Sequence, residues 1–239
     1  MQVYVGTSGW FYDWNKARSL DWYIINSGLN AVELNASFYR FPFPNQISAW
    51  AKKTKSLSSL SQHHASLPTL RWSVKVNRLI THVHKFNINK SMPIWQRFYK
   101  LFKPLDPYID FYLFQLHPKF VDLDLVTTFA NKTKLGNRFA LEIRNKELIK
   151  NIKDNTILGD IVLVSVDSPV VQNKIFKNNI IYMRMHGRKS WYEHNYTKAE
   201  LRETIKKIKK SKPAKVYIFF NNDHDMLNNA RLMLNLMKQ

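Results

Sequence analysis

The residues able to do chemistry in this chain lie at the ends of short apolar runs. Glu33 sits in Ala31-Val-Glu-Leu-Asn35, Lys75 in Trp72-Ser-Val-Lys-Val76, and Gln115 closes Phe111-Tyr-Leu-Phe-Gln115. Glu142 and Arg144 end Phe139-Ala-Leu-Glu-Ile-Arg144, and Asp167 ends Ile161-Val-Leu-Val-Ser-Val-Asp167. Arg184 and His186 share one face of Ile181-Tyr-Met-Arg-Met-His186 by the period of two, and Val216-Tyr-Ile-Phe-Phe220 runs into Asn221, Asn222 and Asp223. Glu33 or Glu142 suits proton abstraction and His186 suits proton donation. Lys75, Arg144 and Arg184 suit a phosphate group.

Two further chemistries stay open on the same residues. Glu33, Glu142, Asp167, His186 and Asp223 form an oxygen-rich set with one nitrogen, the donor type for Mg²⁺, Mn²⁺ or Zn²⁺, with Glu142, Asp167 and His186 as leading ligands. No firm His-x-His or His-Glu-x-x-His metal spacing supports it, since His82-Val-His84, which has the letters, falls in a loop after its strand. The bland reading is a salt-bridged layer. A carboxylate at Glu33, alternating with Val32 and Leu34, points into the core and needs a cation, which Lys75, Arg144 or Arg184 can supply. The first turn, Gly6-Thr-Ser-Gly-Trp10, offers amides, the Ser8 hydroxyl and two glycines for close approach to an anion, without dinucleotide or P-loop spacing. Trp10, Tyr12, Trp14 and Tyr39 are rings fit to stack on a base or sugar, and Asn35, His82 and Gln115 complete the polar set.

The elements that must position these groups alternate. Eight strand candidates are separated by helical periodicity over residues 18–27, 44–55, 93–102, 123–133, 145–152, 197–210 and 225–238. Gly28 and Gly136 read as helix ends, Pro44 and Pro93 as helix starts, and Thr197 with Glu200 as a capping box. Residues 168–179 read poorly as a helix. Strand and helix repeated eight times predict a single α/β domain over residues 1–239, a (β/α)8 TIM-like barrel with an irregular helix at most after the sixth strand; an open doubly wound sheet is the alternative. Such a barrel gathers its chemistry at the C-terminal ends of its strands.

The chain carries 37 basic and 17 acidic residues, a net charge of +20, and no cysteine. Disulfides, thiolate ligands and a cysteine nucleophile are therefore excluded. The mean hydropathy is -0.37. No apolar stretch approaches the 18 or so residues of a membrane span, so the expectation is a cytoplasmic protein without a membrane partner. The charge draws polyanions, although Lys206-Lys-Ile-Lys-Lys-Ser-Lys212 also reads as the solvated face of a helix. Three functions follow: an enzyme on a phosphate-containing substrate, nucleic acid included, working by acid–base or metal-assisted hydrolysis; a non-catalytic nucleic-acid binder; and a sugar-phosphate isomerase or lyase.

Together the motifs resemble the DUF72, or YecE-like, family. The resemblance rests on Gly6-Thr-Ser-Gly-Trp10, Glu33-Leu-Asn35, Phe38-Tyr-Arg-Phe-Pro42, Ile80-Thr-His82 and Phe114-Gln-Leu116. It continues with Glu142-Ile-Arg144, Tyr182-Met-Arg-Met-His-Gly187 and Phe220-Asn-Asn-Asp223, in order from first strand to last helix. It implies a TIM-like barrel and no established activity. Three departures stand out. The segment from Lys16 to Asp21 is short, His117 replaces a proline, and His224-Asp-Met226 lacks a glycine.

Overall fold

Each apolar run that ends on a polar residue becomes a strand. The strands are β1 (Gln2–Thr7), β2 (Ala31–Leu34), β3 (Arg71–Lys75), β4 (Ile109–Gln115), β5 (Phe139–Glu142), β6 (Val162–Asp167), β7 (Ile180–Met185) and β8 (Lys215–Phe220). The helices are α1 (Leu20–Asn26), α2 (Pro44–His63), α3 (Ile88–Phe102), α4 (Leu123–Thr133), α5 (Lys146–Asn151), α6 (Lys198–Lys210) and α7 (Met226–Met237). The strands close into a parallel barrel in chain order, so the barrel holds and the open sheet falls. This computed structural model describes residues 1–63 and 69–239, with side chains over 1–56 and 69–239. Among the described residues no helix is long and apolar enough to cross a membrane. The chain falls into two compact units, residues 1–33, 150–156 and 162–239, and residues 34–149 and 157–161.

In the first unit β1 pairs with β8 from Gln2↔Lys215 to Thr7↔Phe220, and β7 pairs with β8 from Ile180↔Lys215 to Met185↔Phe220. Helix α6 starts as its capping box requires. Thr197 Oγ1 accepts from Glu200 N–H at 3.3 Å, and Glu200 Oε2 accepts from Thr197 N–H at 2.8 Å. Thr197→Ala is expected to lower the unfolding free energy by about 1 kcal/mol, read from urea denaturation; an unchanged midpoint would show the cap to be redundant. Among the described residues no helix forms between β6 and β7. The chain folds back instead, Lys174 N–H donating to Val166 O at 2.9 Å and Val166 N–H to Lys174 O at 3.0 Å. Asn173, at φ 53, then gives its N–H to Asp167 Oδ1 at 2.8 Å.

In the second unit the outward faces are aromatic. Trp72 Nε1 donates to Thr54 Oγ1 of α2 at 3.1 Å, and Phe114 stacks on Phe139 at 3.9 Å while meeting Trp95 of α3 and Phe129 of α4. By alternation Ser73, Lys75, Leu113, Gln115 and Glu142 take the opposite, inner face. Helix α3 begins five residues before Pro93, because Asn87 Oδ1 accepts from Lys90 N–H at 3.2 Å and caps it. The buried stripe Ser91, Trp95, Phe98 and Phe102 carries the helix through the proline. The left-handed residue that ends α4 is Lys134, at φ 57; Gly136, expected there, opens a 3₁₀ turn two residues on.

Candidate functional site

In the first unit Glu33 is the centre of a closed network. Its Oε1 accepts from Ser8 Oγ and Arg184 Nη2, each at 2.7 Å, and its Oε2 from Tyr182 Oη at 2.5 Å. Glu33 and Arg184 are both fully buried. Of the three cations that sequence spacing left open, Arg184 forms an ion pair with Glu33. Its guanidinium is committed to a carboxylate inside the protein, the pairing that its strand position left open beside a phosphate role.

Asp167 requires a correction. In the β6–β7 register Val166 lies opposite Arg184 and Asp167 opposite Met185, so Asp167 takes the face that Arg184 and His186 do not. There its Oδ2 accepts from Arg188 Nε at 2.8 Å, and Arg188 continues to Glu203 at 2.9 Å. His186 contacts Asn221, Nδ1 to Nδ2, at 3.2 Å, with the Trp191 and Tyr192 rings at 5.5 and 5.9 Å. Asp167 and His186 therefore do not converge on a metal, and among the described residues no three His, Asp or Glu side chains do.

The remaining predicted residues of this unit hold loops. Asn222 Nδ2 donates to His194 O at 2.7 Å and to Asn229 Oδ1 at 2.8 Å. Asp223, half-buried at φ 47, has its carboxyl raised by burial, with His224 opposing the rise and Glu193 adding to it. Tyr12 donates to Ser8 O at 3.3 Å and stacks on Trp14 at 5.6 Å; Trp10, part-buried, accepts at its carbonyl from Asn15 Nδ2 at 2.8 Å.

The second unit brings a different set together, at the C-terminal ends of β3, β4 and β5. Lys75, the last residue of β3, lays Nζ 4.2 Å from the centre of the Phe38 ring. Its carbonyl accepts from Ser37 Oγ at 2.6 Å, and Asn77 Nδ2 donates to Ser37 O at 3.0 Å, which ties the turn after β2 to the end of β3. Asn35, part-buried, opens that turn, its carbonyl accepting from Phe38 N–H at 3.1 Å. The stretch after β3 forms one wide π turn over Leu79–Val83, an irregularity frequent at functional sites. The turn presents His82, with Nδ1 2.8 Å from Thr81 Oγ1. The His82 ring meets Phe38 edge-on at 4.9 Å and His117 at 5.3 Å.

Basic groups gather around that imidazole. Burial first, then His117, Lys75, Arg78 and Arg144, lower its pKa from 6.5 to about 4. Beside it Arg144 Nε pairs with Glu142 Oε1 at 2.9 Å. Glu142 is fully buried and lies in register with Gln115, whose Oε1 is enclosed without a hydrogen-bond partner among the described residues. Lys75, Gln115, Glu142 and Arg144 were named from their strand-end positions, and His82 from the loop that follows β3. Phe38, Arg78 and His117 were missed as site residues, although His117 stood out as the residue in place of a proline two positions after Gln115.

The family model for DUF72, a protein of unknown function, matches residues 4–239. No curated protein matches the sequence. Among solved structures, a DUF72 family protein of Enterococcus faecalis V583 superposes with a TM-score of 0.74 at 18% identity, over 100% of this chain and 96% of that one. A DUF72 family protein of Thermotoga maritima MSB8 does so with a TM-score of 0.67 at 21% identity, over 100% of both chains. Identities this low show a shared fold, while the family model spans nearly the whole sequence. The chain belongs to the DUF72 family of proteins of unknown function.

Proposed function

We propose that the protein is an enzyme acting on a phosphate-containing substrate, and that the cationic cluster at the ends of β3, β4 and β5 holds the phosphate. The observation that carries this reading is the imidazole of His82, driven neutral by burial and by four basic neighbours. Burial alone disfavours any ion, but the basic neighbours that oppose an imidazolium favour a phosphate anion in its place. Lys75 and Arg144 supply charged donors, and neutral His82 adds a ring N–H. Gln115 Oε1 accepts from a substrate hydroxyl, and Glu142, oriented by Arg144, takes up the proton of the reacting group. The reaction runs by acid–base chemistry on these side chains.

The test reads His82 directly. Titrating the ring by NMR with and without inorganic phosphate is expected to move its pKa upward from about 4, since a bound anion favours the imidazolium. Lys75→Gln is expected to weaken phosphate binding roughly tenfold to a hundredfold, the worth of one charge-assisted hydrogen bond. A His82 titration indifferent to phosphate would sink the reading.

The same shift fixes a pH dependence. The folded value lies below the 6.5 of the free side chain, so between those values the unfolded chain binds the extra proton. The His82 contribution to stability is whole above about pH 6.5 and declines as pH falls toward 4. His82→Gln flattens this part of the stability profile, and added phosphate does the same in the wild type.

The net charge of +20 favours a second reading, a non-catalytic nucleic-acid binder. It differs in outcome: binding falls steeply with salt, and Glu142→Gln binds as well as the wild type.

A further inference from the structure

We infer that the substrate is a nucleotide unit, its base stacked on Tyr39 while its phosphate lies at the Lys75 cluster. The inference rests on the proposed phosphate site and adds the group attached to that phosphate. Tyr39 is 71% exposed, a large ring left in water directly beside the cluster. It is not loosely placed. Its N–H donates to Ala36 O at 3.1 Å, and its ring stands at 90° to Phe38, 5.1 Å between centres. The same Phe38 ring carries Lys75 Nζ 4.2 Å from its centre. The stacking surface and an ammonium thus meet the same phenyl ring, a spacing that a sugar between base and phosphate can bridge.

The surrounding chain continues the pattern. Phe43 is 61% exposed with the Arg40 guanidinium 6.0 Å from its ring centre, and Arg97 lies 4.7 Å from the centre of Phe41. Guanidinium groups beside aromatic rings bind nucleotides without reading sequence, because every base presents a π-face and every linkage a charge. A sugar phosphate lacks the ring that would cover Tyr39, and an acidic peptide has no need of one. Gln115 Oε1, enclosed without a partner among the described residues, is an acceptor suited to a ribose hydroxyl or an exocyclic amine.

The experiment compares inorganic phosphate, ribose 5-phosphate, adenosine 5′-monophosphate and a short oligothymidylate on the full chain, by calorimetry and by the His82 NMR signal. Adenosine monophosphate is expected to bind roughly 5- to 100-fold more tightly than ribose 5-phosphate, the gain from one base stacked on one ring. Tyr39→Ala is expected to erase that gain while leaving inorganic phosphate affinity unchanged; the residue is exposed, so the fold survives. Oligothymidylate binding more tightly than the mononucleotide identifies the nucleotide as part of a strand; the reverse order identifies a free nucleotide. Equal affinity for the two monophosphates overturns the nucleotide inference and leaves the phosphate site standing. Failure of all four ligands to bind overturns both.

Discussion

Glu33→Ala is expected to cost about 3–5 kcal/mol of unfolding free energy, the usual result of removing one partner from a buried ion pair. The reason is local. Glu33 and Arg184 are fully buried, their oxygen and nitrogen are 2.7 Å apart, and the carboxylate also takes the hydroxyl protons of Ser8 and Tyr182. Removing it leaves Arg184 without this counter-ion and two hydroxyls without their acceptor. Glu33→Leu combined with Arg184→Met is expected to recover most of the loss, because charge and counter-charge leave together and apolar volume replaces them. Urea unfolding of the single and paired variants checks both statements. A single variant that loses less than about 1 kcal/mol would mean that the pair contributes little to holding the fold.

That network also shows where sequence reading stops. The period of two turned Glu33 inward and put Arg184 and His186 on one shared face, because alternation within one strand is written in the chain itself. Whether Asp167 joined them depended on the register of β6 against β7, and a slip of one residue moves every side chain to the other face. Only the pairing of Val166 with Arg184 settles that Asp167 turns outward to Arg188. Tyr182 read as one more apolar letter, and nothing local announces that its hydroxyl reaches a carboxylate 149 residues away. The β3–β5 cluster divides in the same way. Its strand-end members were visible as polar residues closing apolar runs. Phe38, which joins Lys75, His82 and Tyr39, sits in a turn with no periodicity to mark it. Helix boundaries followed their caps where a capping box was present, as at Thr197. They differ at α3, where Asn87 caps the helix and Pro93 lies inside it.

Gly6→Ala tests the part of the first motif that its sequence left ambiguous. Read alone, Gly6 and Gly9 are two places where backbone can approach a ligand. In the structure a Cβ on Gly6 would stand 2.2 Å from Ala31 O and 2.5 Å from its carbonyl carbon, atoms of the neighbouring strand that cannot rotate away. Gly9 is glycine for another reason, a φ of 105, and the nearest atom to its added Cβ is a Tyr12 ring carbon at 3.5 Å. Gly6→Ala is therefore expected to cost at least the 1–3 kcal/mol typical of overpacking, since relief requires β1 and β2 to part where Gly6 faces Ala31 and Thr7 faces Val32. Parting them also draws Ser8 away from Glu33, two residues beyond Ala31. The Gly6→Ala and Glu33→Ala losses should therefore be non-additive by roughly 0.5–3 kcal/mol in a double-mutant cycle. Strict additivity would detach the glycine from the network and return Gly6 to the ligand-approach role its sequence allowed.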